Sequence, residues 1–197
     1  MSHPDVEVIT NDVMYDNFVS ISKISLRFKL FSGDWSPVLE RHCFDSGESS
    51  FLVLYDVKRD CVVLIEQFRI GAMAHDNPWM LEVVAGVIDP GESPEEVALR
   101  ECQEETGTPV QEAFFIQQCM PSAGISTHQN YLFYSLIDSE LFSGVHGLAE
   151  EGENIKVHVV SREQAYAWVC SGKITSVMTV IGLQWLQLNY ASLQAQN

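Results

Sequence analysis

Residues 86–107 read GVIDPGESPEEVALRECQEETG, and this stretch decides the fold. Carboxylates crowd it, with Arg100 as the only cation. Self-repulsion disfavours such crowding, so the charge calls for a counterion. The stretch also carries its own helix signals. Ser93 is an N-cap, Pro94 takes the first helical position, Glu96 completes an S-x-x-E capping box, and Gly107 suits the left-handed residue that ends a helix. A helix is predicted over 94–106. At 3.6 residues per turn Glu101, Glu104 and Glu105 share one face, while Leu99 points away from it and Cys102 flanks Leu99 toward a sheet. From charge alone, a solvated face and a functional one weigh about equally.

Composition narrows the choice. The 197 residues carry 11 basic and 27 acidic side chains, a formal net charge of −16, which repels nucleic acid and anionic membranes. A phosphate-bearing substrate therefore needs a cation to approach, and carboxylates holding a divalent metal would supply one. The five cysteines, Cys43, Cys61, Cys102, Cys119 and Cys170, are widely spaced and form no C-x-x-C pair, as expected of small core residues in a reducing compartment. The opening MSHPDVEV shows no basic segment followed by an apolar run, and no stretch reaches the length of a membrane span. The expectation is a cytoplasmic protein without nucleic-acid or membrane partners.

Around the helix the chain reads mainly as strands. Ile24, Leu26, Phe28 and Leu30 alternate with polar residues, a half-buried strand that the turn signals Ser32-Gly33-Asp34 and Ser36-Pro37 interrupt. Apolar runs at 51–55 and 61–65 flank the polar turn 56–60 and form a predicted hairpin. Further strands are expected at 80–85, 113–118, 131–137 and 155–160. Two helices close the chain. One is capped by Ser161 with Gln164 as its partner and ends near Gly172; the other runs over about 175–190 with Val177, Ile181, Trp185 and Leu188 as its apolar stripe. A soft boundary falls near Ser46-Gly47.

Spacing settles the acidic stretch. Gly86, five residues, Glu92, seven residues, Arg100-Glu101, two residues, Glu104-Glu105, one residue, Gly107 matches all seven fixed positions of the Nudix box. At residue frequencies of ~7% each, a chance match in this chain is on the order of one in a million. The chain thus resembles the Nudix hydrolases, departing only at softer positions, where Cys102 and Thr108 replace aliphatic residues. The segments VVLIEQFRIGA, WMLEVVAGVIDPGES, GLAEEGENIKVHVVSREQAYAWV and IGLQWLQL look most like the bacterial ADP-ribose pyrophosphatases of that family. The resemblance implies an α+β protein: a Nudix fold, an α/β/α sandwich with a mixed sheet, over 47–197, preceded by a small antiparallel β-domain over 1–46. It also implies a homodimer that exchanges the N-terminal domains and builds each substrate site from both subunits.

The same resemblance assigns roles. Glu101 and Glu105, the carbonyl of Ala85 and, from the loop LAEEGENI, Glu153 would hold Mg²⁺ or Mn²⁺. Magnesium takes oxygen ligands and bridges carboxylates to phosphates, so two glutamates one helical turn apart suit it. Glu151 would be the general base, with Glu104 completing the acidic cluster beside Glu92 and Arg100 holding the box glutamates in place. Phe18 and Arg41 would contact the adenine side, Arg69 the phosphates, and Val87 and His128 the substrate. The reaction implied is hydrolysis of ADP-ribose to AMP and ribose 5-phosphate. Departures lie on the substrate side: Pro121-Ser122-Ala123-Gly124 replaces a Ser-Pro-Gly, His128 replaces a glutamate, and Ser46 replaces an arginine. They support an alternative nucleoside diphosphate derivative, such as GDP-mannose. A non-catalytic ligand sensor is a third reading, opposed by the intact glutamates.

Overall fold

The computed structural model describes residues 3–75 and 77–195, which divide into two compact units: the described residues up to Glu48 with Met120–Gln129, and those of Ser49–Cys119 with the described residues from Asn130 on. The first unit is a three-stranded antiparallel sheet in sequence order, β1 (Val6–Asp16), β2 (Ser20–Phe28) and β3 (Leu39–Asp45). The expected strand 24–30 lies four residues earlier at its start and ends at Phe28. Leu30 leaves the ladder because a turn takes it, its N–H bonding to Asp34 O while Gly33, at φ 94, bonds back to Leu30 O. β1 and β3 have no sequence signal for a physical reason. Every residue of β1 is exposed, so burial imposes no alternation, and β3 places Glu40, Arg41 and His42 in a row. Cross-strand ion pairs Arg27–Glu7 and Lys23–Glu40 run along this exposed sheet. The segment 120–129 joins β3 through Phe44 N to Ile125 O, 2.8 Å, and Thr127 N to Phe44 O, 3.1 Å.

The second unit begins at Ser49 within β4 (Glu48–Asp56), which with β5 (Cys61–Phe68) forms the expected hairpin, closed at Asp56↔Cys61. Then come β6 (Trp79–Glu82), β7 (Val84–Val87), α1 (Pro94–Thr106), β8 (Phe114–Cys119), β9 (Gln129–Leu136), β10 (Val145–His146), β11 (Ile155–Ser161), α2 (Arg162–Cys170) and α3 (Val177–Gln194). The mixed sheet has the order β10-β11-β5-β4-β9-β8, with β6 added on β5 and β7 on β4. β4 and β5 pair with each other only from Leu54↔Val63 to Asp56↔Cys61 and then fork. Into the fork come β6, paired Ile65↔Glu82 through Phe68↔Trp79, and β7, paired Leu52↔Val84 through Ser49↔Val87. The single strand expected over 80–85 is therefore two strands, broken at Val83 where the chain changes partner.

Period-two alternation sends neighbouring side chains to opposite faces, and both faces are covered. Val53, Tyr55, Val62 and Leu64 pack with α2 and α3, while Leu52, Leu54, Val63 and Ile65 pack with Ala98 and Cys102 of α1. That is the α/β/α sandwich. On α3 the expected stripe holds at Ile181 and Trp185, which pack against the core, and is corrected at its ends. The helix buries Met178, Thr179, Gly182, Leu183, Leu186 and Leu193, whereas Val177 is exposed and Leu188 is 85% exposed. Apolar residues stand on more than one side of α3, so its sequence offers more than one stripe, and the face buried most deeply is rotated by about one residue. Ser161 caps α2 as expected, accepting from Gln164 N at 3.2 Å. All five cysteines are free thiols, and among the described residues no helix is long and apolar enough to cross a membrane.

Candidate active site

α1 forms with the ends its sequence specifies. Ser93 Oγ accepts from Glu96 N, Glu96 Oε2 accepts from Ser93 N at 2.8 Å, and Gly107 takes φ 70. Two box glycines are also steric necessities. A methyl group at Gly86 would overlap the Glu101 side chain, and one at Gly107 would enter the ring of His146. Gly86 therefore lets β7 lie directly under Glu101, and Gly107 lets β10 lie against the end of α1. From there Gly147 N donates to Glu104 O at 3.1 Å, anchoring the following loop to the box helix. A cleft of about 730 Å³ opens at this junction, lined by Arg100, Glu104, Gly107, His146, Gly147 and Leu148.

Arg100 is the hub of the cluster. Its Nε and Nη2 grip both oxygens of Glu92 at 3.0 and 3.2 Å, and its Nη1 reaches Glu101 Oε1 and Glu104 Oε2, each at 2.8 Å. Nη2 also bonds to Val87 O at 3.4 Å. One guanidinium thus orders three carboxylates. Glu101 remains short of positive charge: burial, helped by Glu104 and Glu153, pushes its carboxyl up to about 7 despite Arg100. Glu105 is 1% exposed, and burial, with Glu101 near it, raises it well above the usual carboxylate range. Two donors hold it, Ala85 N to Oε2 at 2.9 Å and Gln67 Nε2 to Oε1 at 3.1 Å.

Two neighbours escaped sequence reasoning. Gln67 is one. The other is Glu82, a buried carboxylate that receives Arg69 Nε at 2.7 Å across β5 and β6. Each is a polar residue inside an apolar strand run, VVLIEQF and WMLEVV, and that was the available signal. On the loop 148–155, Glu153 Oε2 accepts from Leu148 N at 2.9 Å, and its charge is felt at Glu101. Glu151 ends the short 3₁₀ turn Ala149–Glu151 and is exposed.

The model of the NUDIX domain matches residues 47–176. The chain belongs to the Nudix family. It is 46% identical to ADP-ribose pyrophosphatase of Haemophilus influenzae over 197 residues, 98% of this chain and 91% of that protein. To GDP-mannose pyrophosphatase of Cronobacter sakazakii it is 31% identical over 187 residues, covering 93% and 96%. A crystal structure of an ADP compounds hydrolase superposes with a TM-score of 0.70 at 18% identity, covering 95% of this chain and 97% of that one, a likeness of fold.

Among the described residues of this Nudix chain no three His, Cys, Asp or Glu side chains stand together as a ready-made metal set. Arg100 takes near oxygens of Glu101 and Glu104, and the Ala85 and Gln67 donors take those of Glu105. The donor chemistry still fits a hard divalent cation: the candidate ligands are all oxygens, Glu92, Glu101 and Glu104 share a single bonded guanidinium, and Glu105 is held by neutral amide donors alone. The remaining candidates belong to the N-terminal unit. Phe18 sits at the tip of the β1–β2 hairpin, 85% exposed, so it is no core aromatic. Arg41 is exposed on β3, its Nη1 on Glu40 O. Ser46 and His128, two of the substrate-side departures, bond to each other, Oγ to Nδ1 at 3.0 Å.

Proposed function

We propose that this protein hydrolyses the diphosphate of ADP-ribose, releasing AMP and ribose 5-phosphate, with Mg²⁺ or Mn²⁺ held by Glu101, Glu105, Glu153 and the Ala85 carbonyl. The observation that carries this reading is a complete, Arg100-ordered box in a chain that matches an ADP-ribose pyrophosphatase over nearly its full length. When bound, a divalent cation in such a site neutralises phosphate charge and acidifies water. The chain's own groups do the rest. Glu151, free of the loop contact that engages Glu153, takes the proton from the attacking water. Arg100 keeps Glu92, Glu101 and Glu104 in their rotamers, so the negative cluster costs no reorganisation at the moment of reaction. Arg69, steered by Glu82, grips a phosphate oxygen.

Each site is completed, in this proposal, by the N-terminal domain (1–46) of a second copy, with Phe18 and Arg41 on the adenine side and Val87 and His128 toward the rest of the substrate. The wholly exposed β1 and the protruding ring of Phe18 support an exchanged homodimer. Sedimentation of the full chain is expected to return a dimer, and a monomer with full activity would contradict the exchange. A reducing, cytoplasmic setting is supported by five free cysteines.

The Ser46–His128 pair favours a second reading, another nucleoside diphosphate sugar. Ser46 fixes one ring nitrogen and leaves the other for a substrate hydroxyl. His128→Ala is expected to raise KM several-fold with kcat unchanged, and His128→Gln, which keeps a donor and an acceptor, to raise it less. Equal KM in all three proteins would make the pair purely structural. A product-release assay over ADP-ribose, GDP-mannose and dinucleotides tests the substrate itself: ADP-ribose is expected to give the highest kcat/KM, and a preference for GDP-mannose would overturn the assignment.

A further inference from the structure

At Val83 the chain leaves β5 for β4, and the residue belongs to neither ladder. Val83 is fully buried, so its N–H needs an acceptor from elsewhere. Thr179 provides it: the Val83 N–H donates to Thr179 Oγ1 at 3.0 Å. Thr179 is itself fully buried, on the face of α3 that otherwise carries Met178, Leu183 and Leu186. A hydroxyl in such company costs stability unless it is bonded. Its short side chain reaches the sheet because the helix comes close there. At Gly182, one turn on, a methyl group would crowd Val53 and approach Leu132.

The two sides of Val83 give this bond its importance. Glu82, just before it, holds Arg69, and Ala85, two residues after it, donates to Glu105. We propose that Thr179 is a positioning residue of the active site, pinning from the opposite face of the sheet the Glu82–Val83 peptide, in the short crossing between the Arg69–Glu82 pair and the Ala85–Glu105 contact. The inference rests on the proposed role of Ala85 and Glu105 in holding a cation. Without the hydroxyl the crossing is held only by the ladder pairs on either side, Ile65↔Glu82 and Leu52↔Val84, and the Ala85 carbonyl shifts relative to Glu105 while both helices remain packed.

The test uses the full chain, with Mn²⁺ as probe and no nucleotide, followed by electron paramagnetic resonance of the free ion. Thr179→Val keeps the shape and removes the acceptor, Thr179→Ser keeps the acceptor, and Leu186→Ala is a core control on the same helix. Thr179→Val is expected to raise the Mn²⁺ Kd about tenfold, in the range typical of lost outer contacts at metal sites. Thr179→Ser should stay within twofold of the parent. Leu186→Ala should melt lower yet bind Mn²⁺ as the parent does. Should the valine variant not fold, Thr179→Ala replaces it and is read against Thr179→Ser in the same way. Parent-like Mn²⁺ binding in the hydroxyl-free variant, or equal weakening in Leu186→Ala, overturns the proposal. A parent that binds no Mn²⁺ overturns it together with the metal assignment, whereas a parent that binds Mn²⁺ but leaves ADP-ribose intact overturns only the substrate.

Discussion

Glu105→Gln is expected to lower turnover by about 10²–10³-fold or more, and at the same time to raise the melting temperature of the metal-free protein. The two effects share a cause. Burial, with Glu101 nearby, outweighs the Ala85, Arg69 and Gln67 contacts that favour the charge of Glu105, so its ionised form is disfavoured in the metal-free fold, and in the proposed site a bound cation would reverse that. A glutamine fits the same space. Its oxygen accepts from Ala85 N, and its amide donates to Gln67 once that side chain turns its own oxygen inward. The pH dependence follows. A carboxyl that keeps its proton to higher pH in the folded state contributes stability that is fully present below its unfolded value and lost as pH rises through the folded one. For Glu101 that window runs from 4.5 to about 7, and Glu105 adds to it in the same direction. Metal-free wild type should therefore melt lower at pH 8 than at pH 5, Glu105→Gln should show a flatter profile, and added Mg²⁺ should restore the wild type most at the higher pH. Scanning calorimetry with and without chelator reads all three. A variant less stable than wild type at pH 8 without metal, or one with near-normal turnover, would contradict the assignment.

Glu151→Gln is expected to lower kcat by about 10²–10⁴-fold, the usual contribution of a general base, with little change in metal affinity. The reason lies in how the loop is built. Glu153 folds back on Leu148 N and is felt at Glu101, so its removal should raise the Mg²⁺ concentration needed for half-maximal rate. Glu151 stands exposed on a one-turn 3₁₀ segment with room to meet a water. Steady-state titration of Mg²⁺ for the two glutamine variants separates these roles. If Glu153→Gln showed the loss in kcat and Glu151→Gln the altered metal requirement, the roles would be exchanged.

The box helix was legible in sequence because every signal for it is local: Ser93, Pro94, Glu96 and Gly107 specify its ends within one stretch, and 3.6-residue geometry alone gathers Glu101, Glu104 and Glu105. The central hairpin was legible because both strands are buried on both faces. What could not be read depends on contacts between distant segments. The break at Val83 needs two diverging strands and a hydroxyl from α3, and nothing in the run WMLEVVAG marks it. The apolar stripe of α3 was right at Ile181 and Trp185 and wrong at Val177 and Leu188, because a helix with apolar residues on more than one side does not say which the sheet will take. β1 went unseen because no residue of it is buried within this chain. Gln67 and Glu82 went unnoticed inside apolar runs, and only the fold shows that they hold Glu105 and Arg69.

Phosphorus NMR of ADP-ribose incubated with the full chain tests the central claim most directly. In Mg²⁺ the two diphosphate signals should give way to two phosphomonoester signals, those of AMP and ribose 5-phosphate. Chelator should stop the change, and excess Mg²⁺ should restart it. Turnover that continues in chelator, or diphosphate signals that persist whichever divalent cation is supplied, would contradict the account.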